Sequence, residues 1–451
     1  MKREEKMIDF DRNFPRYTEG SPEVPIWCLT PHANHLIHRF FDTKPLSPSG
    51  RYLAVFQLPD HDCVPNPGDR GNVVLVDLQT GEEKIVWETA GWEYQMGANI
   101  NWGASDSELI FNDVDTASWQ PFGVVLDPLT GAWRKLEHTV YHVSPDGKYG
   151  VSSNLTAMRR TQGGYGVIIP DELVPYYKGT TAEDGVWLTD IATGKTRLLI
   201  SIREAAERTL TTERRTEYEN SELYSFHTKW SPDGKKIMFS LRFFPDQKGK
   251  MLRAMDHLGD GLRYDVFSFD PASRELFLSI PASEWDKGGH HTNWRNDSSG
   301  FTMNLNLFRK GMRLCTVNCD GTGLQPIGEF TGSGHPSFHR NGRWGITDCY
   351  RFEGFTAENG KIPLRLFDLK ENTERALAWI DTLTEGTGRG IDARLDPHPV
   401  WCGHYNLLMF NAMYQGKRGV FCADMRKFQN NEARSSSHST PASIGKKEEF
   451  C

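Results

Sequence analysis

Short apolar runs, broken at regular intervals by turn-forming residues, dominate the chain from about residue 25 to residue 428. Ser144-Pro145-Asp146-Gly147 and Ser231-Pro232-Asp233-Gly234 each separate two aromatic or β-branched runs, the signature of a hairpin turn. Degenerate copies stand at Ser47-Pro48-Ser49-Gly50, Gly103-Ala104-Ser105-Asp106, Asn296 to Gly300, Arg340-Asn341-Gly342 and Gly403-His404-Tyr405-Asn406. Most hairpins lead into a third run that ends in Asp: Asp77, Asp127, Asp190, Asp270, Asp320, Asp368 and Asp424. A fourth run usually follows, as in Glu83 to Trp87 and Thr196 to Ile200. Seven repeats of four antiparallel strands predict an all-β fold, a seven-bladed β-propeller. After Asp424 the seventh unit lacks a fourth strand, and Pro25-Ile26-Trp27-Cys28-Leu29 is the run that can supply it, which closes the ring and removes an exposed edge.

This reading divides the chain into an N-terminal extension over 1–24, one propeller over 25–428 and a polar tail over 429–451 read as disordered. The connection over 155–224 is far longer than the others. It holds a predicted third and fourth strand and a helix-like stretch from Ile202 to Glu219, and long structured loops on a rigid scaffold tend to shape sites. The 42 Gly, 24 Pro and 12% aromatic residues agree with short strands and many turns. A net charge of −7, with no basic run longer than Arg159-Arg160 or Arg214-Arg215, argues against nucleic acid as a partner. No apolar stretch follows the charged residues Met1 to Lys6, so neither a signal peptide nor a membrane span is predicted. That favours a cytoplasmic protein, or a secreted one whose leader has been removed. The eight cysteines lack paired short spacings and read as free thiols.

Aligning the seven first strands on the residue before each hairpin puts Thr43, Asn99, Val140, His227, His291, His335 and His398 at one equivalent position. First strands line the channel of a propeller, and alternation sends equivalent side chains to one face. Imidazoles from four consecutive blades therefore converge. His227, His291, His335 and His398 are the predicted ligands of a divalent metal ion, with manganese, calcium and zinc as candidates. The competing reading is a structural brace repeated from blade to blade.

Several segments resemble seven-bladed propellers that act on uronate-containing glycans: oligogalacturonate, ulvan and rhamnosyl-glucuronate lyases, and a glycoside hydrolase family that releases rhamnose from rhamnosyl-α-1,4-glucuronate. The resemblance rests on His38-Arg39-Phe40-Phe41-Asp42-Thr43, Met96-Gly97-Ala98-Asn99-Ile100-Asn101-Trp102, Phe111-Asn112-Asp113, Val140-Tyr141-His142-Val143, Gly164-Tyr165-Gly166 and Asp396-Pro397-His398-Pro399-Val400-Trp401. It implies cleavage of a glycosidic bond at a uronic acid, by β-elimination in preference to hydrolysis, on an oligosaccharide or polysaccharide. It also implies catalysis by His and Tyr with an Arg beside them. Tyr141 matches the lyase tyrosine, Ala157 occupies the usual Arg slot with Arg159 and Arg160 just beyond it, and Gln95 stands where some relatives have His. Elimination removes the C5 proton, which is acidic only when the neighbouring carboxylate is neutralised. The lyase candidates are thus Tyr141, His61, Arg159 and Arg160 as catalysts, with Tyr165, Gln95 and Asn99 binding substrate. The hydrolase alternative places the chemistry on the opposite face with a single histidine near the start of the chain, His38 ahead of His35 and His32. A non-catalytic platform for sugar or protein is the third reading.

Overall fold

The computed structural model describes residues 8–59, 65–252, 261–382, 395–402 and 406–429. Seven four-stranded antiparallel sheets form a β-propeller, as the turn pattern predicts. The innermost strands are Leu36–Ile37, Asn101–Trp102, His142–Val143, Ser221–Trp230, Gly289–Trp294, Ser337–Phe338 and Val400–Cys402, in blades 1 to 7. Ile26–Cys28 completes blade 7 by pairing with Lys417–Asp424, Ile26 opposite Ala423 and Cys28 opposite Phe421. The residues before it are also built into the ring. Tyr17 N–H donates to Ile26 O, Trp379 N–H to Gly20 O, and the Tyr17 ring is buried against Phe421.

The turn residues act as their chemistry requires. In the two full copies the Ser hydroxyl donates to the Asp carboxylate at 2.6 Å and the Gly N–H returns to the Ser carbonyl. Gly147 has φ +74°, and a Cβ there would stand 2.4 Å from Ala104 N, so glycine also permits the approach of the neighbouring hairpin. The third-strand aspartates cap their own turns, as when Asp190 accepts from Thr193 N–H at 2.8 Å, and Asp77 and Asp368 pair with Arg51 and Arg343.

Neighbouring blades are tied by buried polar groups at two levels. Near the hairpins, the indole N–H of Trp102, Trp294 and Trp401 donates to a carbonyl of the preceding inner strand region, at Pro45, Lys229 and Ser337 respectively. Toward the other mouth, a polar residue of the second strand, or just beyond its end, reaches the next blade. Asn112 exchanges two bonds with the Val140 backbone, Ser153 meets Thr228 at 2.7 Å, and Asn304 donates to Gly334 O. Asp348 accepts from His398 N–H, and Asn411 accepts from His38 N–H at 2.9 Å while donating to Asp396 O. Between the blades lie separate apolar clusters, so each blade's faces are covered by its neighbours.

The long connection divides in two. Its helices Ile202–Thr209 and Thr212–Glu219 pack on the flank of blade 4, where Arg214 and Tyr218 both bond Asp265. Its earlier part covers the channel: Leu155, Met158, Tyr165, Val167, Ile169 and Val174 share one apolar cluster with Phe40, Phe41 and Tyr141. The chain's tail ends among the described residues in the turn Arg426–Gln429, with Phe428 buried; 430–451 lie outside them. The six described cysteines are buried and unbridged. Among the described residues no helix is long and apolar enough to cross a membrane.

Replacing Asn411 by Ala leaves His38 N–H and Asp396 C=O without their buried partner. A loss on the order of 1–3 kcal/mol is expected, read as a lower melting temperature; an unchanged melting temperature would contradict the role of this tie.

Candidate active site and metal centre

Four of the seven aligned channel positions have left-handed backbone: Asn99 (φ +55°), His227 (+48°), His291 (+63°) and His398 (+49°). Such angles cost a non-glycine residue about 1–3 kcal/mol. In blades 4 and 5 they sit in interruptions of the strand register, between Phe226 and Lys229 and between His290 and Asn293. A bulge re-aims the side chain it carries, and here it aligns the inner strands of different blades at one level. Because inner strands start at one mouth and end at the hairpins of the other, these positions and the segments following the second strands share a mouth.

His335, Asp396 and His398 form one buried cluster whose ligand atoms lie within 4.8 Å of one another. His335 Nδ1 lies 3.0 Å from both oxygens of Asp348, which also accepts His335 N–H at 2.6 Å. We assign the Nδ1–H tautomer, so the Nε2 lone pair is free for a ligand, in the manner of carboxylate-oriented histidines at metal sites. A Cβ at Gly334 would lie 2.2 Å from Asp348, so glycine is needed for that carboxylate to reach the histidine. Two imidazoles and a carboxylate are a fitting donor set for a first-row divalent ion. The His291 ring stacks on His335 at 3.8 Å; its nitrogens meet Gly334 O and, at 3.2 Å, Tyr350 Oη. His227 stands apart, with Phe40 between it and the cluster, 5.7 Å from His227 and 4.6 Å from His398.

His227 pairs instead with Tyr141, Oη to Nδ1 at 2.5 Å. The phenol also lies 3.7 Å from Met96 Sδ. We assign the phenol hydrogen to Met96 Sδ and the Nδ1–H tautomer to His227, which leaves Nε2 unprotonated. Burial first, then the charges of Lys229 and Arg242, hold the imidazole well below its usual pKa, so it is neutral at neutral pH. His227 is half-buried, whereas Tyr141 is 0% exposed and stands behind it. Arg242 lies over the Phe226 ring at 3.5 Å and bonds Gln162 at 2.8 Å. Among the described residues no carboxylate lies within ion-pair distance of it. Burial lowers its pKa to about 10, so it keeps its charge.

Below this group the segment from His38 to Thr43 crosses the channel. Phe40 and Phe41 touch histidines of blades 4 to 7, and Asp42 pairs with Lys229 of blade 4 at 2.7 Å, both side chains 2% exposed. Burial by itself would raise the Asp42 carboxyl, but Lys229 and Arg39 more than offset this and keep it ionised. Arg39 bonds Asn99 at 3.2 Å and faces the Tyr141 ring at 4.5 Å.

The remaining expected site residues fall elsewhere. Arg160 donates to the carbonyls of Val174, Pro175 and Gly249, and Arg159 to Ile169 O and Asp171, so both guanidinium groups brace the long connection. Asn99 bridges Arg39 and Glu93 deep in the wall, Gln95 is buried with its N–H on Gly164 O, and the buried Tyr165 ring lies 5.9 Å from His227. Glu93 holds the Tyr165 turn through Gly166 N–H; burial raises its carboxyl to about 7. His38 is sealed from solvent 6.4 Å from His398, inside the channel wall and not on an opposite face, and burial lowers its pKa to about 4. His61 lies outside the described residues. Sequence reasoning passed over Asp348, Asp396, Arg242, Lys229 and Asp42. Asp396 was within reach, two residues before His398 in Asp396-Pro397-His398, and the charged Arg242 interrupts the largely apolar run Ile237–Pro245.

No family profile matches the sequence, and no curated protein matches it either. Among solved structures the chain is similar to an oligogalacturonate lyase in complex with manganese, at 14% identity, TM-score 0.59, covering 91% of this chain and 96% of that one. An oligogalacturonate lyase from Vibrio parahaemolyticus matches with the same figures. The propeller domain of the trilobed protease from Pyrococcus furiosus is 10% identical with a TM-score of 0.45, over 87% of this chain and 96% of that one. At 14% identity the likeness to the two lyases shows the fold alone. For the candidate metal centre, with manganese, calcium and zinc each offered in turn, His335→Ala and Asp396→Asn are each expected to abolish stoichiometric divalent ion by elemental analysis and the rise in melting temperature on adding it, while His227→Ala keeps both. A His335→Ala protein that binds the same ion like the parent would rule the cluster out.

Proposed function

We propose that the protein cleaves a glycosidic bond at a uronic acid by β-elimination, at the mouth where His227, Arg242 and Tyr264 meet. The observation that carries this is a cation with no carboxylate in ion-pair distance among the described residues: Arg242, half-buried, beside a neutral histidine assigned the Nδ1–H tautomer against Tyr141. A uronate supplies the missing carboxylate. The fold shared with two oligogalacturonate lyases supports the same reading.

In this account Arg242 binds the carboxylate and draws charge from C5, which makes the C5 proton removable. His227 Nε2 takes that proton, and the electron pair forms the C4–C5 double bond as the C4–O bond breaks. The leaving oxygen takes a proton from Tyr264, which is half-buried with its ring 5.4 Å from the Arg242 carbon; burial raises its pKa, so it holds the proton until then. Solvent restores both groups. Tyr141 does not touch substrate and acts as a positioning residue. Arg159 and Arg160 hold the loop that covers the channel. A divalent ion at His335, His398 and Asp396 supplies, when bound, positive charge next to the channel.

The test is to offer galacturonate- and glucuronate-containing oligosaccharides and follow the ultraviolet absorbance of an unsaturated uronate. His227→Ala and Arg242→Ala are each expected to lower turnover roughly a hundredfold or more, and Arg242→Lys to retain part of it. Arg160→Ala is expected to lower the melting temperature more than the turnover of the folded enzyme. Full activity in His227→Ala would overturn the assignment.

A further inference from the structure

Phe352 is the most exposed large apolar side chain among the described residues, at 74%, and it stands beside the same mouth. It follows the second strand of blade 6, Trp344–Thr347, in a short turn. Its ring lies parallel to Tyr350, 5.2 Å between centroids with 6° between planes, which leaves its other face open to solvent. Tyr350 in turn bonds His291 Nε2 at 3.2 Å, and His291 stacks on His335 of the candidate metal cluster. Two ring steps therefore lead from the open aromatic face to the channel wall, a reach comparable to a disaccharide.

The turn is braced in a way that an incidental surface aromatic does not require. Glu353 accepts from Tyr350 N–H at 3.0 Å and from the Ser333 hydroxyl, Glu353 N–H returns to Tyr350 O at 3.0 Å, and Thr356 Oγ1 donates to Arg351 O at 2.7 Å. Arg351 reaches Asp381 at 3.6 Å on the adjacent segment. The backbone presenting Phe352 is thus fixed, and little order is lost when a flat partner lands on the ring.

We propose that Phe352, backed by Tyr350, is a stacking platform for a sugar ring of the substrate, one or more residues removed from the bond that is cut. The inference rests on the uronate reading above and adds to it a subsite with a defined chemistry. A pyranose presents an apolar C–H face that packs on an aromatic ring, while its hydroxyls stay in solvent or reach His290 and Tyr350 at the rim. The platform belongs to blade 6 and Arg242 and His227 to blade 4, so it governs affinity for longer chains and leaves the chemical step alone.

The experiment compares the parent protein with Phe352→Ala and Phe352→Trp on uronate disaccharides and tetrasaccharides, by steady-state kinetics and by calorimetric titration of the tetrasaccharide. Losing one aromatic stacking contact is expected to raise KM for the tetrasaccharide about five- to tenfold, with kcat unchanged and the disaccharide KM nearly unaffected. Phe352→Trp restores the parent values. Equal effects on both chain lengths, or none, would overturn the platform while leaving the elimination reading standing. A Phe352-dependent titration without any cleavage would keep the platform and sink elimination, and neither binding nor cleavage would sink both. If Phe352→Ala alters only the size-exclusion profile, the ring is a contact between copies of the chain and the proposal fails.

Discussion

A buried polar side chain that reaches from one blade to the start of the next blade's inner strand is the interaction on which the rest of this molecule depends. Asn112, Asn304, Asp348 and Asn411 each make it to a backbone group, and Ser153 makes the corresponding tie to the Thr228 hydroxyl. In a ring of sheets, apolar contact between blades is adjustable: a sheet can slide over its neighbour with little change in buried area. A hydrogen bond to one particular backbone group is not adjustable, and breaking it inside the protein strands a polar atom. These ties therefore set the height of each inner strand, and with it the level at which channel side chains meet. Asp348 shows the coupling most directly, since the carboxylate that fixes blade 7 to blade 6 also orients His335.

The second determinant is charge sealed below the mouth. Asp42 of blade 1 and Lys229 of blade 4 join opposite walls of the channel, and removing either would leave its partner as an uncompensated buried charge, a loss of about 3–5 kcal/mol. The pair holds the segment that carries Phe40 and Phe41 against the histidines of blades 4 to 7. Lys229 and Arg242 also add, after burial, to the forces that keep His227 neutral. A base surrounded by cations is weak toward protons from water yet well placed beside a substrate that brings its own negative charge.

The fold was readable because its turns are chemically exacting. Ser-Pro-Asp-Gly admits few conformations, and Asp at the end of each third strand caps a turn, so spacing alone counted the blades and placed Ile26–Cys28 in the last one. The level of the channel residues was readable for the same reason, and the left-handed angles at Asn99, His227, His291 and His398 match that alignment. Roles within the level were not. Equivalent positions suggested four equal ligands, but Tyr141 draws His227 away from the cluster and Asp396, outside the aligned column, enters it. Arg159 and Arg160 looked catalytic by their place in the chain, yet the loop's own carbonyls bind their guanidinium groups. Which backbone groups a long loop leaves unsatisfied is a property of its path, and the path is not written in any local pattern.

In the proposed reaction a neutral histidine removes a proton from the carbon next to a carboxylate that Arg242 has bound. The most direct measurement is the kinetic effect of deuterium at C5 of the cleaved uronate, combined with proton magnetic resonance of the product. A rate several-fold slower with deuterium and an olefinic proton at C4 are expected. No isotope effect together with a saturated product would mean that water, not elimination, breaks the bond.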